Sequence, residues 1–342
     1  MNKIIILTVA AVLLISSVQA DDFSKVGTAG AQFLKIGVGA RYNSLGEASV
    51  ALSDDIYAMY WNPAGLTGIE NNEMAFTYVN YLLDVNLNYI AFARRFEDFG
   101  VLGVSATMLS MGEQEITTYD EPDGTGDTYT ASSYAFQVSY AKDLTANFSF
   151  GASVKFIGEK IYRETANGFA FDFGTMLYTG FRSLRLGMNI SNMGPEMSFD
   201  GPDLTVGYDP GVPDPTSEEE NNSNFDPYSA NINTNPYDIP LTFRVGVAYD
   251  FLFGDASKLI LAMEAKHPND NVQQGALGAE YDWQGKYFLR AGYKLNYEEE
   301  GLSLGGGLKT NLTGGTDLTL DYAWMDFGRL NSVHRFSASI NF

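Results

Sequence analysis

The chain ends on His334-Arg335-Phe336-Ser337-Ala338-Ser339-Ile340-Asn341-Phe342, and this ending restricts the fold more than any other segment. Phe336, Ala338, Ile340 and Phe342 fall on one side of an extended chain; Arg335, Ser337, Ser339 and Asn341 fall on the other. Alternation with period two means a strand with one apolar and one polar face. A soluble sandwich can contain such a strand, but rarely as its extreme C-terminus with a terminal aromatic. In a membrane barrel it is the closing strand: apolar face to lipid, polar face to the lumen, ring at the interface.

The other end agrees. Lys3 precedes a run from Ile4 to Ile15 that is apolar except for Thr8, and Ser16-Ser17-Val18-Gln19-Ala20 follows. A charged start, an apolar stretch of about 7–15 residues and small residues at the cleavage site describe a secretory signal peptide, residues 1–20. The run is shorter than the roughly 20 residues a membrane helix needs. The mature chain is therefore expected to begin near Asp21. There is no cysteine, which removes a lipoprotein anchor, disulfides, thiolate metal sites and cysteine nucleophiles together. A balance of 21 basic against 42 acidic residues argues against nucleic acid as a partner and suits extended, solvated loops.

From residue 73 onward, alternating segments recur at turn-bounded intervals. They lie at 73–81, 85–95, 99–110, 129–141, 146–157, 167–178, 183–193, 240–251, 258–266, 274–283, 286–296, 301–310, 316–325 and 331–342. Lengths near 10 residues match a tilted strand crossing a bilayer. Counting from the periplasm, every second connection is short, whereas the long ones, 111–128 and 194–239, fall on the other side, as in bacterial barrels. Phe96, Phe99, Tyr140, Phe148, Tyr178, Phe251, Trp283, Tyr287 and Phe342 then collect at the periplasmic rim as an aromatic girdle. The expected fold is all-β: a transmembrane antiparallel up-and-down barrel of about 14 strands over residues 73–342, in the outer membrane of a Gram-negative-type bacterium. The stretch 194–239 carries seven prolines and Glu218-Glu219-Glu220, a composition that should bury no core and be mobile or ordered by a partner.

Residues 21–72 are too many for a linker. Eight-stranded barrels fill with their own side chains, while 16–18 strands leave an aqueous channel. A 14-stranded bore therefore needs closing, and this Gly- and Ala-rich segment is the nearest filler, an N-terminal plug. Within it stand Leu45-Gly46-Glu47-Ala48-Ser49-Val50-Ala51-Leu52-Ser53-Asp54-Asp55 and then Trp61-Asn62-Pro63-Ala64-Gly65-Leu66. These strings resemble the N-terminal hatch of FadL-type outer-membrane transporters, in which Asn-Pro-Ala-Gly-Leu is the most characteristic element. Gly27-Thr28-Ala29-Gly30-Ala31-Gln32-Phe33-Leu34-Lys35-Ile36 and Gly39-Ala40-Arg41 look more like the PorV/PorQ branch. The resemblance implies a non-enzymatic barrel that binds or shuttles secreted cargo with a C-terminal signal domain, or partners of a type IX secretion-like system. The FadL side of it implies an alternative, a channel for uptake of hydrophobic small molecules. Phe336, Ala338, Ile340 and Phe342 also resemble the C-terminal signal read by the barrel-insertion machinery. Outer-membrane lipid and that machinery are thus further expected partners.

On the residues alone, Asn62-Pro63 is a turn in which proline biases Asn62 towards extended backbone, and Gly65 permits close approach. Asn62, Pro63, Ala64, Gly65 and Leu66 are expected to dock the plug to the barrel wall. Other candidate chemistry is weak. Asp120-Glu121-Pro122-Asp123-Gly124-Thr125-Gly126-Asp127 does not match a calcium loop, and Gly305-Gly306-Gly307-Leu308-Lys309-Thr310 lacks phosphate-loop spacing. Neither His267 nor His334 has a serine placed beside it by sequence. No catalytic residue, cofactor or metal is expected. Alternation points Arg185, Arg244, Glu264, Arg290, Lys294, Lys309, Asp317, Asp321 and Arg335 into the lumen, a lining unlike a greasy tunnel.

Overall fold

A computed structural model describes residues 25–208, 228–254, 257–312 and 314–342. Eighteen strands are found among them: β1 (Asn72–Asn80), β2 (Asn86–Phe96), β3 (Gly100–Ser110), β4 (Gln114–Glu115), β5 (Thr128–Tyr129), β6 (Ala131–Thr145), β7 (Phe148–Ile161), β8 (Glu164–Tyr178) and β9 (Arg185–Met193). The series continues with β10 (Thr205–Tyr208), β11 (Tyr228–Asn231), β12 (Thr242–Phe253), β13 (Ser257–Pro268), β14 (Gln274–Trp283), β15 (Tyr287–Leu295), β16 (Leu302–Asn311), β17 (Asp317–Asp326) and β18 (Ser332–Asn341). All but β4, β5, β10 and β11 join one closed antiparallel barrel in chain order, β18 returning to β1. Its fourteen strands are the fourteen read from the sequence. Signal-peptide residues 1–20 and Asp21 lie outside the described residues.

Closure satisfies the backbone. In hydrocarbon an unpaired N–H or C=O costs several kcal/mol, so a spanning sheet must have no edge. Here β1 and β18 pair from Glu73 opposite Asn341 to Asn80 opposite His334. Period two then sorts the side chains. On β1, Met74, Phe76 and Tyr78 are exposed to the membrane side, whereas Ala75, Thr77 and Val79 are buried inside. Register slips occur at Asp143/Thr145 between β6 and β7, and at Phe171/Phe173 between β8 and β9. In the second, Asn192 takes φ 61°, and its side chain is buried against Lys155 (2.8 Å) and the Pro240 carbonyl (3.2 Å). An extra residue in one strand re-aims its side chain in this way.

The long connections differ from their expected texture. The stretch 111–128 contains one arm of the β4–β5 ribbon. Between β9 and β12, Met197 and Tyr237 exchange backbone hydrogen bonds at 2.9 and 2.8 Å, and Met197 and Ile239 are buried with Phe33, Leu34, Ile157 and Ala170. The composition argument therefore fails for the flanks of 194–239. The few apolar residues there find a core because the N-terminal segment supplies its other half. Pro210, Pro213, Pro215, Pro227 and Glu218-Glu219-Glu220 lie outside the described residues.

Candidate functional site

The segment preceding β1 folds as four short helical pieces of one or two turns, Gln32–Lys35, Ala40–Ser44, Ala58–Trp61 and Pro63–Gly68. None is long enough to be stable alone. What holds them is burial: Tyr42, Leu45, Leu52, Ile56, Met59, Trp61 and Leu66 are fully buried. At roughly 1.5–3 kcal/mol per large apolar side chain, this outweighs any local helix propensity. Trp61 donates its indole N–H to the Val38 carbonyl (2.9 Å) and carries the Arg244 guanidinium on its ring face at 5.0 Å.

The segment meets inward-facing residues on all sides of the ring. The Ile56 N–H donates to Glu73 of β1 (3.2 Å), and the Ala40 N–H to the Ser337 hydroxyl of β18 (3.0 Å). Gln137 of β6 donates to the Met59 carbonyl (2.6 Å), and Asn189 of β9 to the Trp61 carbonyl (2.9 Å). On β13, one Glu264 oxygen accepts from the backbone N–H groups of Ser49 and Val50, both at 2.8 Å. The other accepts from Arg244 at 2.9 Å.

Within Asn62-Pro63-Ala64-Gly65-Leu66, Asn62 is extended (φ −162°) and its side-chain oxygen caps the Ala64 N–H at 3.2 Å. Its amide donates to the Val50 carbonyl (2.7 Å) and to the Thr175 carbonyl of β8 (3.1 Å). Pro63 and Ala64 lie directly over Gly151 of β7, and Gly65 is packed on the Ser53 carbonyl, where a Cβ would overlap it. Leu66 is buried. Wall glycines recur wherever segment backbone comes close: Gly174 under Asn62, Gly187 under Val50, Gly278 under Leu45 and Gly292 under Gly46. A side chain at any of these would occupy the space the segment fills.

Ion pairs fasten the rest. Lys35 reaches Asp270 (3.0 Å), Arg41 reaches Glu280 (3.1 Å) and Asp55 (3.3 Å), and Glu47 reaches Lys294 (2.7 Å). Gly46 and Glu47 both have left-handed backbone, φ 67° and 68°. For glutamate that conformation is uncommon; here it aims the carboxylate at the wall. Burial by itself would raise the Glu47 carboxyl, but Lys294, Lys266 and Arg244 hold it at about 2. Asp55 is the opposite case: burial lifts it to about 6 against the pull of Arg41.

Of the lumen charges read from alternation, Arg244, Glu264, Arg290, Lys294 and Arg335 are buried in the lumen. Arg290 pairs with Asp321, Arg185 with Asp250 (2.8 Å) and Lys309 with Asp317 (2.9 Å). Leu34, Lys35, Tyr60, Lys155, Asn192 and Arg244 border a crevice of about 10 Å3, room for about one water. Sequence reasoning missed the wall contacts of Arg41 and Glu47 and the pairing of Asp55 with Arg41. The available signal was their presence in an otherwise apolar, Gly-rich stretch, where a buried charge requires a partner. At the C-terminus, Phe336, Ile340 and Phe342 are exposed on the membrane side, with Ala338 in the same register. Among the described residues no group of His, Cys, Asp and Glu could hold a metal ion.

The family model described as "Type IX secretion system protein PorV" matches residues 18–206, more than half of the chain. The chain belongs to the PorV family. None of the curated proteins matches it in sequence. Among solved structures, this PorV-family barrel is similar to the Pseudomonas putida toluene transporter TodX, at 12% identity over 90% of this chain and 99% of that one, with a TM-score of 0.57. It is also similar to the monoaromatic hydrocarbon channel CymD (13% identity, 89% and 96% covered, TM-score 0.54). A Pseudomonas aeruginosa FadL homologue gives 13% identity, 89% and 97% covered, and a TM-score of 0.51. At such identities the likeness shows the fold. The PorV-family barrel is an outer-membrane protein of FadL-like architecture.

Proposed function

We propose that this PorV-family barrel is a non-enzymatic docking protein, closed by its own N-terminal segment, that binds secreted cargo or partners of a type IX secretion-like system at its long-loop end. The observation that carries the reading is the seat of residues 31–69 against charged and glycine positions of the inner wall. A barrel whose lumen is taken up by its own chain has its loops left for recognition. Segment 21–72 is the plug in this reading, Asn62 to Leu66 its anchor, and Phe336, Ala338, Ile340 and Phe342 the insertion signal.

Uptake of hydrophobic molecules is the competing reading, supported by the FadL-like fold. Against it stands the lining: Arg244, Glu264, Glu280, Arg290, Lys294 and Arg335 are poor neighbours for an apolar solute. Deleting residues 194–239 and measuring which secreted proteins co-purify from native outer membrane tests the proposal. Loss of those proteins with the barrel still folded is expected; an unchanged set of partners removes the loop from recognition.

A further inference from the structure

On the membrane-facing side of the wall, Phe76 of β1, Leu308 of β16, Leu320 and Tyr322 of β17 and Phe336 of β18 border a groove of about 590 Å3. Its floor is Gly306. This position shares the outward register of exposed Leu304 and Leu308, and a Cβ there would meet nothing closer than the Phe288 carbonyl at 3.5 Å. Gly307 points the other way, where a Cβ would run into Asp321 and Arg290. One residue of the pair therefore notches the outer surface.

One end of this groove is polar. The Tyr322 ring lies 5.1 Å from that of Phe336, and its hydroxyl is hydrogen-bonded to Nδ1 of His334 at 2.8 Å. The His334 Nε2 in turn lies 3.3 Å from the Ser332 hydroxyl. Ser332, His334 and Phe336 alternate along β18 on its membrane side, with Ser332 at the end next to the long loops. Polar groups on a hydrocarbon-facing surface are costly unless they have partners. Here Tyr322 and Ser332 occupy both ring nitrogens of His334; with the Tyr322 hydroxyl donating to Nδ1 and the Nε2–H donating to Ser332, the Ser332 hydroxyl keeps a proton to donate at the outer end of the row.

We propose that the β16–β17–β18–β1 seam binds one phospholipid, its acyl chain over Gly306 and its headgroup phosphate hydrogen-bonded by the Ser332 hydroxyl, which His334 and Tyr322 hold in place. The apolar groove and the polar row are separate features of the same surface, and Tyr322 belongs to both. An acylated amphiphile matches the pair, because its apolar and polar halves are joined in the same order along the membrane normal. The site lies outside the lumen and does not depend on the docking role.

The experiment is native mass spectrometry of the full-length barrel, delipidated in detergent and titrated with palmitoyl-oleoyl phosphatidylethanolamine or with the corresponding diacylglycerol. Wild type is expected to take up one phospholipid and to hold diacylglycerol about fivefold more weakly, the effect of one lost hydrogen bond. G306L, which fills the notch from the membrane side, should bind neither at wild-type level. S332A and H334F should bind phospholipid no better than diacylglycerol. Heat-modifiable electrophoretic mobility checks that each variant is folded. No stoichiometric lipid on wild type, or G306L binding like wild type, would overturn the proposal.

Discussion

Glu47 and Lys294 are 247 positions apart in the chain and 2.7 Å apart in the fold, both nearly inaccessible to solvent. The contact ties a left-handed turn of the N-terminal segment to β15. Removing one member of a buried pair costs about 3–5 kcal/mol; glutamine keeps one hydrogen bond and should cost about 1–3 kcal/mol. Glu47→Gln is expected to speed proteolytic cleavage within residues 31–69 while the strands stay resistant. Equal cleavage rates for variant and wild type would show that the pair does not hold the segment.

The two perturbed carboxyls of the segment give opposite pH dependences. Asp55, raised from 3.8 to about 6, favours the folded state fully below 3.8, and that contribution is lost as pH rises through 6. Glu47, lowered from 4.5 to about 2, contributes fully above 4.5 and loses its contribution as pH falls towards 2. Between pH 5 and 7.5 Asp55 is therefore the one of the two that changes state. Tm in calorimetry should fall over this interval by roughly 2–5 °C, and Asp55→Asn should flatten the slope. A slope unchanged in Asp55→Asn would assign the effect elsewhere.

Gly292 offers a cleaner way to displace the segment than truncation. A Cβ there overlaps the backbone of Leu45 and Gly46, so Gly292→Val should push the turn off β15. The expected phenotype in planar bilayers is more frequent opening, with folded mobility retained. Deleting residues 21–66 should raise single-channel conductance further. A truncated barrel that stays closed would mean that the long loops seal it.

Asn62 makes three hydrogen bonds at one buried position. Asn62→Ala leaves the Val50 carbonyl without that donor and the Ala64 N–H uncapped, at a cost of about 1–3 kcal/mol. Denaturant titration should show a lower midpoint with the slope unaltered.

Much of the wall was legible because a strand in a bilayer must alternate, and alternation survives without knowledge of any partner. Leu241-Thr242-Phe243-Arg244-Val245 could be placed on two faces by counting. The seat of the segment could not be read in this way. Its turns are four to six residues long, and their partners come from strands scattered along the whole chain, from Glu73 for Ile56, 17 positions away, to Glu264 for Ser49, 215 positions away. Register slips at Asp143 and Phe171 leave no mark in hydrophobicity. The placement of Ser332 beside His334 was available, since residues two apart on a strand share a face; only the adjoining Tyr322 required the sheet register. Met197 and Ile239 were hidden by the prolines around them.

Asn72 and Phe342 exchange both of their backbone hydrogen bonds, at 3.1 and 3.0 Å. The first barrel strand is thus completed by Phe342, and the ring closes only when that residue is in place. Residues 31–69 run directly into β1, so the occupant of the lumen is joined to the wall at the strand where the ring is fastened. Filling and fastening thus meet at a single seam, with Phe342 as its clasp.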